Sequence, residues 1–423
     1  MFRSILIATF ATACVSESPS EPTSELEVTA VSQGLSVSDV TRVQIAGDVY
    51  HYGFVVRVGD GPNAVLHLHR VVREKAPWIP RKSTGAILLM HGDFANFDTN
   101  FAPSSDGLAP WLAEHDVDVW GIDRRFTQAP EDGDLSDFDA MGIDQELEDI
   151  QTALAFARGI RLVTDRSTDR ITLSGFSRGG ALAYFYAARE ATRPVLQRHI
   201  KGLVPLDVYA SLGPADEDIR QWFCQTAADE YSYLAAGWVE VSNAFQFLVG
   251  QWALDDPEAE NPWFAPLTNR ETMLMLVGTT FQFFPASPNY HLNGAVFDGD
   301  KPVGLRSASE TVIATWLANA PAYASMRESA DTDQLTCGTG PLPADLPLSR
   351  IQVPLFLIAA AGGYGERAIF STTQVSSTDV STLVVRQLPV ERELEDFGHA
   401  DLLFSPDAEA LAWQPLLAWL RAH

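Results

Sequence analysis

The chain has 423 residues, 46% of them apolar and 10% aromatic, which is enough to bury the core of one large domain that carries an insertion. Its formal charge of −26 opposes binding to nucleic acid or to an anionic membrane surface, since a polyanion is repelled from both at long range. The excess of carboxylates is read as a solvated surface that keeps the protein in solution.

Met1-Phe2-Arg3 is a short positive start, Ile5 to Ala13 is apolar, and the small residues Ala11-Thr12-Ala13 precede Cys14. This pattern resembles a bacterial lipoprotein signal, and the run is too short to span a bilayer as a helix. Residues 1–14 are therefore expected to be a lipoprotein or secretory signal, with Cys14 as the lipidated residue. Residues 15–27, rich in Ser, Glu and Pro, are expected to form a disordered tether. The protein is then exported, as a cell-envelope lipoprotein in the periplasm or on the surface, or as a secreted protein. Any membrane attachment runs through Cys14.

From residue 28 onward the pattern is that of an α/β core. Thr41 to Val58 and Ala64 to Val72 read as antiparallel strands joined at the turn cluster Gly59-Asp60-Gly61-Pro62. Strands at Ile87–Met90, Asp118–Ile122, Ile171–Ser174 and Leu203–Leu206 alternate with helices at Leu108–Glu114 and Gln145–Ala157. Such alternation predicts a mostly parallel, twisted sheet flanked by helices. After Asp207 the regularity stops until the buried-strand pattern Val353–Ile358, an interval too long for a loop. It is rich in aromatics from Trp222 to Phe284, many in helical surroundings. The expected organisation is a core over residues 28–207, a largely helical cap over 208–348, and the rest of the core over 349–423. The cap should cover the cleft at the carboxyl ends of the strands, where some of its aromatics would line an apolar pocket.

With Cys14 set apart, Cys224 and Cys337 remain, and an even pair in an exported chain reads as a disulfide. His67 and His69 share one face of a strand, but no third ligand lies nearby in the sequence. A structural role is the better reading for them. Neither a metal nor a cofactor is expected.

Gly175-Phe176-Ser177-Arg178-Gly179-Gly180 joins the strand ending near Ser174 to the helical pattern that opens at Ala181. Small residues around a serine at a strand-to-helix turn allow a strained elbow, which projects the hydroxyl while N–H groups and a helix N-terminus face it. Upstream, the apolar run Gly85–Met90 ends in His91-Gly92-Asp93, and downstream stands Phe397-Gly398-His399-Ala400-Asp401. Oxyanion loop, serine and histidine thus follow one another in the chain order of an α/β-hydrolase.

A serine hydroxyl needs an imidazole to take its proton and a carboxylate to orient that imidazole. Ser177 is the candidate nucleophile and His399 the candidate base. The orienting acid is expected in the loop after the strand Val353–Ile358, where Glu366 is the first carboxylate; Asp207, at the end of Gly202–Leu206, is the alternative. The backbone N–H groups of Asp93 and Arg178 are the candidate oxyanion donors. The Asp93 side chain should turn to solvent or pair with Arg124 or Arg125.

Taken with Val65-Leu66-His67-Leu68-His69-Arg70-Val71, Leu88-Leu89-Met90-His91-Gly92 and Asp118-Val119-Trp120-Gly121-Ile122-Asp123-Arg124-Arg125, these motifs resemble the acid lipase family that includes lysosomal and gastric lipases. The resemblance implies an α/β-hydrolase with a helical cap that cleaves carboxylic esters without a cofactor, its substrate a small-molecule or lipid ester. The chain departs from the family in the missing Asp beside Gly362-Gly363, in an elbow that reads Phe-Ser-Arg, and in its cap. The function expected is an esterase or lipase. The alternatives are a serine peptidase of the same fold and a catalytically impaired, surface-anchored binding protein.

Overall fold

Val117–Asp123, Ile171–Phe176 and Leu355–Ala360 are buried along their whole length, so they need cover on both faces. The computed structural model describes residues 36–130, 133–283, 289–338 and 346–423 and places these segments in a ten-stranded sheet. Its strands are β1 (Ser36–Ala46), β2 (Val49–Arg57), β3 (Val65–Ala76), β4 (Ile79–Pro80) and β5 (Gly85–Met90). They continue with β6 (Val117–Asp123), β7 (Ile171–Phe176), β8 (Ile200–Leu206), β9 (Leu355–Ala360) and β10 (Val380–Val385). The order is β1-β2-β3-β6-β5-β7-β8-β9-β10, with β4 paired to β3. From β6 to β10 all neighbours are parallel, whereas β1 to β4 and the β3–β6 junction are antiparallel.

The expected mostly parallel sheet flanked by helices is what forms. On one face lie α1 (Phe97–Phe101), α2 (Leu108–Glu114), α11 (Asp401–Phe404) and α12 (Gln414–Ala422), sharing a core with Ile87, Val119 and Ile358. On the other lie α3 (Ile143–Thr164), α4 (Arg178–Ala191) and α10 (Gly365–Thr373), packed on Leu88, Leu173 and Leu357. One expectation needs correction. Thr41 to Val58 is not a single strand but the end of β1, a tight turn at Gly47-Asp48, and β2, with Gly47 at φ +52°, where glycine has no steric cost. The expected signal over residues 1–14, Cys14, the tether over 15–27 and the aromatic Phe284 lie outside the described residues.

Between β8 and β9 come α5 (Glu217–Ala235), α6 (Ala244–Asp255), α7 (Asn269–Gly278), α8 (Glu310–Leu317) and α9 (Met326–Cys337). Two short antiparallel pairs, 240–242 with 323–325 and 295–298 with 301–305, complete this insert. Helices α6, α7 and α8 share a core of Val249, Leu274, Val277, Ile313 and Leu317. A disulfide between Cys224 and Cys337 joins α5 to the end of α9 across 113 residues of sequence. Closing so long a loop restricts the unfolded chain, so replacing both cysteines with serine is expected to cost about 2–5 kcal/mol. A denaturant titration should show that as a lower midpoint, and an unchanged midpoint would remove the disulfide from the stability of the insert.

Candidate active site

The turn between β7 and α4 is closed by backbone contact. Ser177 sits at φ 55° and ψ −127°, outside the regions comfortable for a residue with a side chain, and its N–H donates to the Leu206 carbonyl at 3.0 Å. A Cβ on Gly175 would collide with the Gly179 backbone, and one on Gly179 would collide with the carbonyls of Met90 and His91. The glycines are therefore where the β5 and β7 ends approach the first turn of α4, and the strain at Ser177 is held by that packing.

The loop after β5 lies against the same turn. The Gly92 N–H donates to Asn100 Oδ1 of α1 at 2.9 Å, and the His91 ring lies with Nδ1 2.7 Å from the Gly92 carbonyl while Nε2 accepts the Arg124 N–H at 3.2 Å. Burial, with the Arg124 charge beside it, pushes the His91 imidazolium down to about 4, so this ring is neutral near pH 7. The N–H groups of Asp93 and Arg178 donate to no other group among the described residues. The Asp93 carboxylate does not face solvent freely: Arg124 donates to it at 3.0 Å and Arg178 at 3.2 Å, while Arg125 pairs with Asp149 instead. Burial would raise the Asp93 carboxyl, but these two guanidiniums hold it below the usual carboxylate range.

His399 is buried with its ring stacked on Phe176 at 4.3 Å, and Tyr290 and Tyr364 stand 5.3 and 5.4 Å away. Its Nδ1 lies 2.6 Å from Oδ2 of Asp207. Glu366, expected as the orienting acid, is not the carboxylate on this ring. It lies in the first turn of α10 with a side chain that is 64% exposed and 3.9 Å from Arg386. Asp207, the weighed alternative, takes the place because β8 ends directly beside the loop after β9. The Asp207 carboxylate is fully buried and accepts the N–H groups of Ala360 at 3.0 Å and Tyr364 at 3.1 Å besides His399.

The histidine loop is itself held by residues that the sequence reading passed over. The His399 N–H donates to the His291 carbonyl at 3.0 Å, and the Ala400 N–H to the Leu292 carbonyl at 2.7 Å. Asp401 accepts from the Asn293 amide and from the N–H groups of Gly294 and Gly398. Residues 291–294 of the insert thus run as a strap beside 398–401. A strap of this kind has no local sequence signature, because its partners are more than a hundred residues away.

A cavity of about 420 Å³ opens onto Ser177, His399, Asp93 and Arg178. Val208, Tyr209, Trp222, Phe223, Phe245 and Leu276 supply much of its apolar wall. Glu230, Glu328 and Asp333 line it as well. Arg178 donates to Asp333 at 2.7 Å, Arg124 lies 3.3 Å from Glu328, and Ser329 donates to Glu230 at 2.6 Å. Burial, reinforced by Asp333, pushes the Glu230 carboxyl up to about 8, and burial does the same to Glu146 behind Arg124.

No protein-family model matches the chain, and no curated protein does. Among solved structures it is similar to a putative lipase from Sulfolobus solfataricus, at 16% identity over 91% of this chain and 99% of that one, with a TM-score of 0.61. It is also similar to a thermophilic esterase from Thermogutta terrifontis, at 14% identity over 88% and 98% with a TM-score of 0.43. A third is a monoglyceride lipase from Saccharomyces cerevisiae, at 12% over 91% and 95% with a TM-score of 0.42. The chain has the α/β-hydrolase fold. The acid lipase branch is not singled out among these neighbours.

Glu230 makes the folded protein sensitive to pH. A carboxyl raised from 4.5 to about 8 keeps its proton in the folded state at pH values where the unfolded chain has lost it. Its contribution to stability is therefore largest below about pH 4.5 and declines as pH rises toward 8. Glu230→Gln is expected to flatten part of the fall in Tm between pH 5 and pH 8, with the share of Glu146 remaining. An unaltered slope would show that Glu230 is ionised in the folded protein across this range.

Proposed function

We propose that the protein is a serine hydrolase that cleaves carboxylic esters through an acyl-enzyme on Ser177. The observation that carries the reading is the 2.6 Å contact between His399 and the buried Asp207, beside a serine held at positive φ on one cavity. Asp207 accepts the Nδ1 proton and so leaves the lone pair of His399 on Nε2. That nitrogen takes the hydroxyl proton as Ser177 Oγ attacks the ester carbonyl, then returns it to the departing alcohol. Water repeats the sequence on the acyl-enzyme and releases the acid. The carbonyl oxygen becomes negative in both tetrahedral intermediates, and the N–H groups of Asp93 and Arg178 are the donors proposed for it. The guanidiniums on the Asp93 carboxylate neutralise a charge that would otherwise oppose the one developing at its own N–H.

The apolar wall of the cavity suits an ester with an apolar acyl or alcohol group. Kinship with the acid lipases is the finer form of this reading and rests on the sequence motifs, with Asp207 taking the place of the acid expected in the loop after β9.

The test is hydrolysis of short p-nitrophenyl esters by three variants. Ser177→Ala and Asp207→Asn are expected to lower kcat/KM by about 10⁴-fold or more, and Glu366→Gln to leave it within a few-fold. Activity near the parent in Ser177→Ala would remove the serine mechanism, and a larger loss in Glu366→Gln than in Asp207→Asn would move the acid to α10.

A further inference from the structure

His67 and His69 lack a third metal ligand in their own stretch of sequence, but the fold brings two others to His69. His51 of β2 lies diagonally across the antiparallel ladder from it, with Nε2 2.9 Å from His69 Nδ1. Asp98 comes from α1 on the other side, 3.7 Å from the His51 ring. One ligand atom from each of His51, His69 and Asp98 lies within 4.8 Å of the other two. We propose that these three side chains form a binding site for a divalent transition-metal ion of the zinc class, outside the catalytic cavity, whose lining includes none of them.

The donor set supports that class. Two imidazole nitrogens and one carboxylate oxygen are common zinc ligands, and three protein ligands leave a fourth position for water. The far nitrogen of His69 faces a carboxylate: Nε2 lies 3.2 Å from Oδ2 of Asp123, at ion-pair distance but outside hydrogen-bond geometry. Asp123 is fixed in turn by the Phe97 N–H at 2.7 Å and by Gln128 at 2.8 Å. A carboxylate behind a histidine orients the ring, keeps the proton on the remote nitrogen and leaves Nδ1 as a donor toward the ion. The Phe97 ring stacks on His69 at 4.6 Å, in space that the missing side chain of Gly121 leaves to it.

Ligand atoms around a tetrahedral zinc ion lie about 3.3 Å apart, from metal–ligand distances near 2.0–2.1 Å. Reaching that from the present separations requires a small opening of the two imidazoles and a swing of Asp98. Asp98 is free to make it, since its side chain is 54% exposed and accepts no hydrogen bond among the described residues. Its exposure also provides the entry path for the ion. For Nε2 of His51 to ligate, the single proton of that neutral ring has to sit on Nδ1, so binding shifts it from the nitrogen that faces His69 to the other one.

The site lies on the helix that holds the oxyanion loop. Helix α1 carries both Asp98 and Asn100, and Asn100 accepts the Gly92 N–H. An ion shared by β2, β3 and α1 would therefore pin the helix on which residues 91–93 rest. The inference concerns binding and does not rest on the reaction proposed above.

The experiment uses the full chain, stripped with a chelator and titrated calorimetrically with zinc chloride, with bound zinc then measured by elemental analysis. The wild type is expected to hold one zinc per chain and to melt at a higher temperature with it. Asp98→Asn and His51→Gln are each expected to bind at least tenfold more weakly and to lose the thermal shift. Asp98 is largely exposed, so its variant keeps the test valid if the other fails to fold by circular dichroism. A wild type that retains no zinc would overturn the proposal. So would zinc bound equally by both folded variants, which would assign it to the acidic surface at large.

Discussion

The buried carboxylate of Asp207 joins three pieces of chain that are far apart in sequence. It stands one residue beyond β8, accepts the N–H of Ala360 at the end of β9 and that of Tyr364 in the turn after it, and binds the His399 ring in a loop almost two hundred residues further on. A fully buried carboxylate is costly unless its oxygens are satisfied, so this one can exist only with all three pieces in place. Asp207 itself adopts φ 44°, and a Cβ on Gly363 would collide with its carboxylate. The glycine-rich turn after β9 thus serves as the donor wall for an acid that arrives from the neighbouring strand.

A second set of charges ties the insert to the core. Arg178 holds Asp93 of the β5 loop with one side of its guanidinium and Asp333 of α9 with another. Arg124 bridges Asp93 and Glu328 of α9 in the same way. The N–H groups proposed as oxyanion donors therefore belong to residues whose side chains are clamped by the insert. Removal of one member would leave uncompensated charge beside the cavity, an effect far larger than the loss of a surface ion pair. The insert consequently shapes the cavity wall and also positions the loop that faces Ser177.

Where the sequence was legible, the constraint was local. The spacing of Gly175, Ser177 and Gly179 is dictated by backbone atoms that nearly touch, and any chain making this turn must place small residues there. The buried strand β9 is a continuous apolar run, readable for the same reason, whereas β6 and β7 were legible from their apolar majority although each also buries polar side chains such as Asp118 and Thr172. Which carboxylate meets His399 was not legible, because Asp207 directly follows β8 while Glu366 follows the loop after β9 in the first turn of α10, and only three-dimensional packing decides which one faces the ring. The signal available was the absence of an acid from Ala359–Gly365, a stretch rich in glycine and alanine that suits backbone donors. The β1–β2 turn was missed because Gly47-Asp48 interrupts an otherwise regular alternation. The 291–294 strap and the His51–His69–Asp98 group depend on pairings across layers and leave no periodicity to read.

The account rests on Ser177 being made nucleophilic by the Asp207–His399 pair, and this can be measured without knowing the natural substrate. The rate at which a fluorophosphonate phosphonylates the intact protein, with the adduct located by peptide mass spectrometry, reports that reactivity directly. The account predicts a single adduct on Ser177 that forms rapidly in the wild type and at least a hundredfold more slowly in a folded Asp207→Asn variant. An adduct on another residue, or equal rates in the two proteins, would contradict it.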